Sequence, residues 1–249
     1  MELTKMICMA SHDFQWQMKP FALMLQKYWG RDIQIIYYCD KVVGELPPGV
    51  EARIVPMMRE RGTSTWDWTR DFGDGFSSIL RELNDPILAV SMLDYWLVGP
   101  AQLDKIDALV EYMETHDNVV RTALGNCPGV GEWSRCVDTW NGMEIMTCPA
   151  KDNFNAGIMF NVGLFNRERT LELVKNTCVL DSEIMGWKQM QERPDLMSVW
   201  VRPPNNIYSY AHATVRTARE VAFLMAVPNK EDRDAIAALL PDHVRPQEK

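Results

Sequence analysis

From Ile87 to Leu93 the chain is apolar at every position except Ser91, with no alternation of polar and apolar residues. That pattern predicts a strand buried on both faces, as in a parallel sheet covered by helices. The run ends on Asp94, a carboxylate that is costly to bury without a cation or donors. In open α/β sheets the carboxyl ends of strands open onto the ligand crevice, which places Asp94 at the mouth of a site. Capping of a following helix is the competing explanation, and this stretch alone does not choose between them.

The same reading extends along the chain. Thr4 to Ala10 predicts a first strand that stops at Ser11, His12 and Asp13, small and polar groups in a ligand-loop position. Phe21, Met24, Leu25 and Tyr28 recur at helical spacing between Trp16 and Trp29, with Pro20 in the first turn and Gly30 at the close. Ile33 to Cys39 is β-branched and aromatic and ends at Asp40, so the opening reads strand, helix, strand, a parallel pair with a crossover helix. A short strand over Ala52–Val55 follows the Pro47-Pro48-Gly49 loop. Arg59, Arg61, Trp66, Trp68 and Arg70 then mix groups that suit stacking and anion contacts with groups that suit a packed loop. Asp74 is placed as the N-cap of a helix through Asn84, and Pro100–His116 as a helix with Leu103, Ile106, Leu109, Val110 and Met113 inward.

Val119–Ala123 predicts another strand, and Gly125–Asn141 a long loop of the kind that is functional or mobile in compact domains. Asn153–Asn166 has a strand-like centre, with Gly157 offering close approach to the backbone. A helix over Arg167–Asn176 leads to Asp181-Ser182-Glu183, a second carboxylate pair, and His212 follows a Pro-Pro turn. Asp232–Leu240 closes the chain as a helix, with a frayed tail beyond Pro241.

Composition narrows the class. With 249 residues, 47% hydrophobic and 24% charged, the chain reads as an ordinary globule that buries one core. No apolar run approaches the roughly 20 residues that cross a bilayer, and residues 1–10 lack a signal-peptide core, so a cytoplasmic location without stable membrane association is expected. The six cysteines form no Cys-x-x-Cys pair and read as reduced structural thiols. The net charge of −8 argues against a generally basic nucleic-acid surface. Much of it lies between Ser91 and Ala150, where nine acidic residues less three basic ones leave −6.

Taken together these pieces resemble the GT-A superfamily of nucleotide-sugar-dependent glycosyltransferases. Ser11-His12-Asp13-Phe14, the helix ending in Lys27-Tyr28-Trp29, and Leu93-Asp94-Tyr95-Trp96-Leu97 are similar to segments of bacterial and phage sugar transferases. Phe154-Asn155-Ala156-Gly157-Ile158-Met159 resembles the Phe-Asn-Ala-Gly segment of glycogenin-like and lipopolysaccharide galactosyltransferase-like members, and Asp181-Ser182-Glu183 their Asp-Gln-Asp or a base-bearing Trp-Glu-Phe-Glu.

The resemblance implies a single GT-A-type α/β domain, a Rossmann-like mixed sheet flanked by helices. Residues 1–124 would be its nucleotide-binding half and 125–240 its acceptor-binding half, with 241–249 a tail. Ser11, His12, Asp13, Asp40 and Arg70 would border a nucleotide-sugar donor, a UDP-sugar, and Asn155 and Gly157 the donor sugar. Glu183 would be the base on the acceptor hydroxyl, with Asp181 orienting it or binding donor. A divalent cation, Mn²⁺ or Mg²⁺, would sit on Asp94 with His212 as second ligand. The chain departs from the family in having Leu93 before and Trp96 after Asp94, where metal-holding members carry further acids. The acceptor is a glycan or, as in phage relatives, a 5-hydroxymethyl-pyrimidine in DNA read by Arg59, Arg61, Arg70, Trp66 and Trp68, in the host cytoplasm if phage-encoded. A catalytically silent sugar-nucleotide or glycan-binding module of the same fold stands as the alternative, motivated by Leu93.

Overall fold

A computed structural model describes residues 3–55, 72–125, 134–149, 157–174, 179–212 and 226–241, without the side chains of 72 and 179–185. The chain runs β1 (Lys5–Met9), a 3₁₀ turn (His12–Gln17), α1 (Met18–Tyr28), β2 (Gln34–Cys39), β3 (Val50–Ile54), α2 (Phe72–Glu82), β4 (Ile87–Met92) and β5 (Tyr95–Leu97). It continues α3 (Leu103–Thr115), β6 (Val119–Ala123), β7 (Arg135–Trp140), β8 (Met143–Thr147), β9 (Gly163–Asn166), α4 (Arg167–Leu173), α5 (Val179–Glu192), β10 (Met197–Val201), β11 (Tyr210–His212) and α6 (Lys230–Leu239). Nine strands form one mixed sheet in the order β3-β2-β1-β4-β9-β6-β10-β8-β7, and β5 and β11 form a separate two-stranded sheet. This is the mixed α/β architecture that the patterning predicts.

The unbroken apolar runs have a direct cause. Met6 and Cys8 of β1 pack with Phe21, Met24 and Leu25 of α1 and Ile106, Leu109 and Val110 of α3. Ile7 and Met9 face the other way, onto Phe76, Ile79 and Leu80 of α2. Each central strand therefore buries both side-chain parities, which removes any alternation from its sequence. The helix ends are fixed locally: Asn166 accepts a hydrogen bond from Arg169 N (3.1 Å) at the start of α4, and Asn229 accepts one from Glu231 N (2.9 Å) at the start of α6.

Several boundaries differ from expectation, among them Asn153–Asn166, where residues 157–162 have no regular secondary structure and the strand, β9, is only Gly163–Asn166. The Gly125–Asn141 stretch holds a strand, β7, paired antiparallel with β8. Asn141 (φ 47°) and Gly142 (φ 76°) close that hairpin in the left-handed region, where an Asn-Gly pair fits a two-residue turn. As the exposed edge strand, β7 carries none of the apolar alternation that would reveal it. Asp74 lies within the first turn of α2 rather than capping it, where its carboxylate still meets the positive end of the helix dipole. Residues 12–17 are a 3₁₀ turn, so α1 begins at Met18.

The Lys27-Tyr28-Trp29 motif is explained by packing. Lys27 Nζ donates to Asp232 Oδ1 (2.6 Å) and Tyr28 OH donates to Asp232 Oδ2 (2.5 Å), tying the end of α1 to α6. Asp232 is buried and Trp29 is fully enclosed, edge-on to Tyr208 with ring centroids 6.4 Å apart. Tyr28→Phe leaves Asp232 one donor short and should cost about 1.5 kcal/mol, a drop in melting temperature of roughly 3 to 6 °C. Asp232→Ala should cost more. Thermal melts that coincide with wild type in both variants would show the motif is not structural.

Candidate functional site

The site begins with strand register. Met9 of β1 is paired in parallel with Tyr38 of β2 on one side and with Met92 of β4 on the other. Ser11, Asp40 and Asp94 each stand two residues beyond one of these three, so register alone delivers them to one edge of the sheet, at the carboxyl ends of adjacent strands. Asp94 sits in the turn between β4 and β5, and a strand rather than a helix follows it, which removes the helix-cap explanation.

At the end of β1, Ser11 is buried and its hydroxyl oxygen has no hydrogen-bond partner among the described residues. His12 is clamped on both edges. Its backbone N–H donates to Asp40 Oδ1 (2.7 Å), its ring Nδ1 pairs with Asp40 Oδ2, and Nε2 lies 3.2 Å from Asp13 Oδ1. Both oxygens of the buried Asp40 are thus engaged with His12, so Asp40 acts on the site by holding the imidazole. Gln15 adds a second brace, donating to Val43 O (2.7 Å) and accepting from Val43 N (2.7 Å), which pins the loop after β2. Between these parts lies a cleft of about 400 Å³ lined by His12, Asp13, Trp16, Lys19, Val43 and Leu46, within the size range of small-ligand sites. A wider hollow of about 820 Å³ beside Thr4, Gln34 and Val50 lies at the amino ends of the same strands, the edge away from these groups.

β5 and β11 complete the arrangement. Their antiparallel pairing sets Tyr95 opposite His212, and His212 Nε2 lies 2.9 Å from Asp94 Oδ2. The hydrogen bond to Asp94 raises the imidazole above its usual range, against a partial burial that lowers it. Asp94 Oδ1 is buried with no hydrogen-bond partner among the described residues. The Tyr95 ring stacks on the imidazole, centroids 4.6 Å apart and planes 22° off parallel, and Tyr210 meets Tyr95 edge-on at 4.9 Å. Tyr95 is a site residue that sequence reasoning missed, because its partner lies across a pairing of three-residue strands far apart in sequence. Leu93 is buried in the core, so the residue beside Asp94 serves packing.

The remaining candidates stand on other segments of the chain. Gly157 is described and buried, and its carbonyl accepts from Ser198 Oγ (2.9 Å). Asp181 and Glu183 fall on α5, whose backbone alone is described there. Two residues apart on a helix, the two positions do not share a face. Arg59, Arg61, Trp66, Trp68, Arg70 and Asn155 lie outside the described residues. Among the described residues no group of three or more His, Cys, Asp or Glu stands ready to hold a metal, and no helix is long and apolar enough to cross a membrane. Among the described residues, Cys8, Cys39, Cys136 and Cys148 form no disulfide with one another.

No family model matches the chain, and no curated protein sequence does. Among solved structures it is similar to the apo WbbM bifunctional glycosyltransferase, at 10% identity over 96% of this chain and 52% of that one, with a TM-score of 0.43. It is also similar to an active-site mutant of LgtC, at 8% identity over 76% of this chain and 64% of that one, with a TM-score of 0.39. The chain therefore spans about half the length of the first and under two thirds of the second.

The Asp94–His212 pair is testable without any ligand. In chelated protein the His212 imidazole should titrate above the usual range, and Asp94→Asn should bring it down, because the anionic acceptor that favours the charged ring is gone. NMR titration of the imidazole carbon-bound protons measures this. An unchanged midpoint in the variant would break the pair.

Proposed function

We propose that this chain transfers a sugar from a nucleotide-sugar donor, a UDP-sugar, to a hydroxyl of a glycan acceptor. The observation that carries the reading is the convergence, by register, of Ser11, the His12–Asp40 clamp and Asp94 with His212 on one edge of a mixed sheet. Orphaned buried oxygens on Ser11 and Asp94 support it, since a buried polar atom without a partner marks a place where a ligand group is expected. The nucleoside would lie in the cleft beside His12, with its diphosphate toward Asp94.

Departure of a nucleoside diphosphate accumulates negative charge, and the acceptor hydroxyl must lose a proton. Asp94 Oδ1, buried without a hydrogen-bond partner among the described residues, and the His212 imidazole, once released from its hydrogen bond to Asp94 Oδ2, would be the oxygen and nitrogen ligands of a divalent cation. A bound Mn²⁺ or Mg²⁺ would neutralise charge on the leaving diphosphate as a Lewis acid. Two protein ligands are few for a hard cation, so the donor's own phosphate oxygens and water would fill its remaining positions. Tyr95 keeps the imidazole plane fixed, Asp40 and Asp13 hold His12, and Glu183 takes the acceptor proton if transfer inverts configuration.

Incubating the protein with a panel of UDP- and GDP-sugars and following release of the nucleoside diphosphate tests this directly. Slow donor hydrolysis is expected, falling at least about 100-fold in Asp94→Asn, the scale of losing one preorganised charge-stabilising group, with the melting temperature unchanged. Wild-type rates in Asp94→Asn would remove Asp94 from the site. Activity should also fall in EDTA and return with Mn²⁺ or Mg²⁺, and full turnover in excess chelator would leave the diphosphate to cationic side chains. Tight donor binding without turnover, with or without a glycan acceptor, would instead make the chain a sugar-nucleotide-binding module.

A further inference from the structure

Between Gly157 and Val162 the chain has no regular secondary structure, yet Gly157, Ile158, Phe160 and Val162 are buried. Backbone in such a segment needs partners other than a helix or sheet ladder. Ser198 Oγ and the Leu124 N–H supply two of them, to the carbonyls of Gly157 and Val162, while Arg121 bonds the side chain of Asn161. Arg121 of β6 and Ser198 of β10 are register partners, and each is 1% exposed. Ser198 Oγ donates to the carbonyl of Gly157 (2.9 Å), and Arg121 Nη2 donates to Asn161 Oδ1. The segment is therefore gripped at both ends from one pair of neighbouring positions. The Arg121 guanidinium also lies 5.6 Å from the centroid of Phe165, with which it is paired across β9.

On its other side the segment carries a helix. A Cβ on Gly186 of α5 would come within 3.2 Å of the Ile158 side chain, so the helix backbone seats closely on Ile158, which would have to give by a few tenths of an ångström to admit a larger residue. Glu183 is placed one turn before Gly186, on the same stripe of α5. The stack from bottom to top is thus Arg121 and Ser198, then residues 157–161, then α5. A buried arginine is an expensive foundation, because an apolar side chain of similar volume often stabilises a core equally well.

We infer that Arg121 and Ser198 are positioning residues that set the height of the Gly157 segment and of α5, and so the spacing between the donor sugar and the acceptor side of the site. This rests on the glycosyltransferase reading above. Its readout is the extra affinity that a donor's sugar adds to its nucleotide, which a general loss of folding would not single out. Kd values for UDP and for UDP-glucose and UDP-galactose are measured by calorimetry on wild type, Ser198→Ala, Ser198→Thr, Arg121→Met and Arg121→Lys, with hydrogen exchange of residues 157–162 followed in each.

Ser198→Ala and Arg121→Met should leave the Kd for UDP within about twofold and weaken the better UDP-sugar roughly tenfold, the scale of one lost buried hydrogen bond. Exchange at 157–162 should quicken, and Ser198→Thr and Arg121→Lys should recover part of the sugar's contribution. Equal weakening of UDP and UDP-sugar, or unchanged values with unchanged exchange, overturns the positioning role while the transferase reading stands. Failure of wild type to bind UDP or either sugar nucleotide overturns both. If Arg121→Met does not fold, the Ser198 pair of variants carries the same comparison.

Discussion

The parallel register of β2, β1 and β4 is the constraint on which the site depends. A shift of one residue in any of these ladders would turn every side chain of that strand to the opposite face. Here such a shift is opposed on both faces, because Ile7 and Met9 fill one core while Met6 and Cys8 fill the other. A slip would exchange residues of different volume between two close-packed interiors, which is far costlier than moving a loop. The positions of Ser11, Asp40 and Asp94 are by-products of that packing. The core sets where these three residues stand, and polar contacts such as the His12–Asp40 clamp then fix individual side chains.

How much of this was readable from the amino-acid order follows from what each element is held by. β1, β2, β4 and β6 are held locally, by runs of residues whose apolar character records burial on both faces, and their bounds fell within a residue or so of expectation. β7 is an edge strand with four of its six residues exposed, and only its Asn141-Gly142 turn advertises it. Asp94 and His212 were brought together by family resemblance alone, because their contact is made by β5 and β11, strands of three residues whose pairing has no local signature. Asp40 was readable as a carboxylate at a strand end. That both its oxygens are turned onto His12 is decided by side-chain geometry, which no pattern of residue types encodes.

Motif resemblance also mixed two kinds of residue. Lys27, Tyr28 and Trp29 sit in one short segment and resemble a transferase motif, and all three serve the junction of α1 with its neighbours. Leu93 is likewise a core residue in a segment whose next position faces the crevice. Short motifs of this kind combine a structural requirement and a chemical one because both are imposed where a buried strand ends.

The Asp94–His212 contact carries one further consequence, for the order of folding. It joins positions 118 residues apart. Closing a loop of that length is paid in chain entropy before any contact rewards it, and the reward here is a two-stranded ladder of three residue pairs. The pair is therefore expected to form only after the nine-stranded sheet has brought its two strands near each other, and to open before the sheet does. A chain whose early strands had already folded would still lack its histidine, so the Asp94–His212 pair would mark the completion of the fold rather than its beginning.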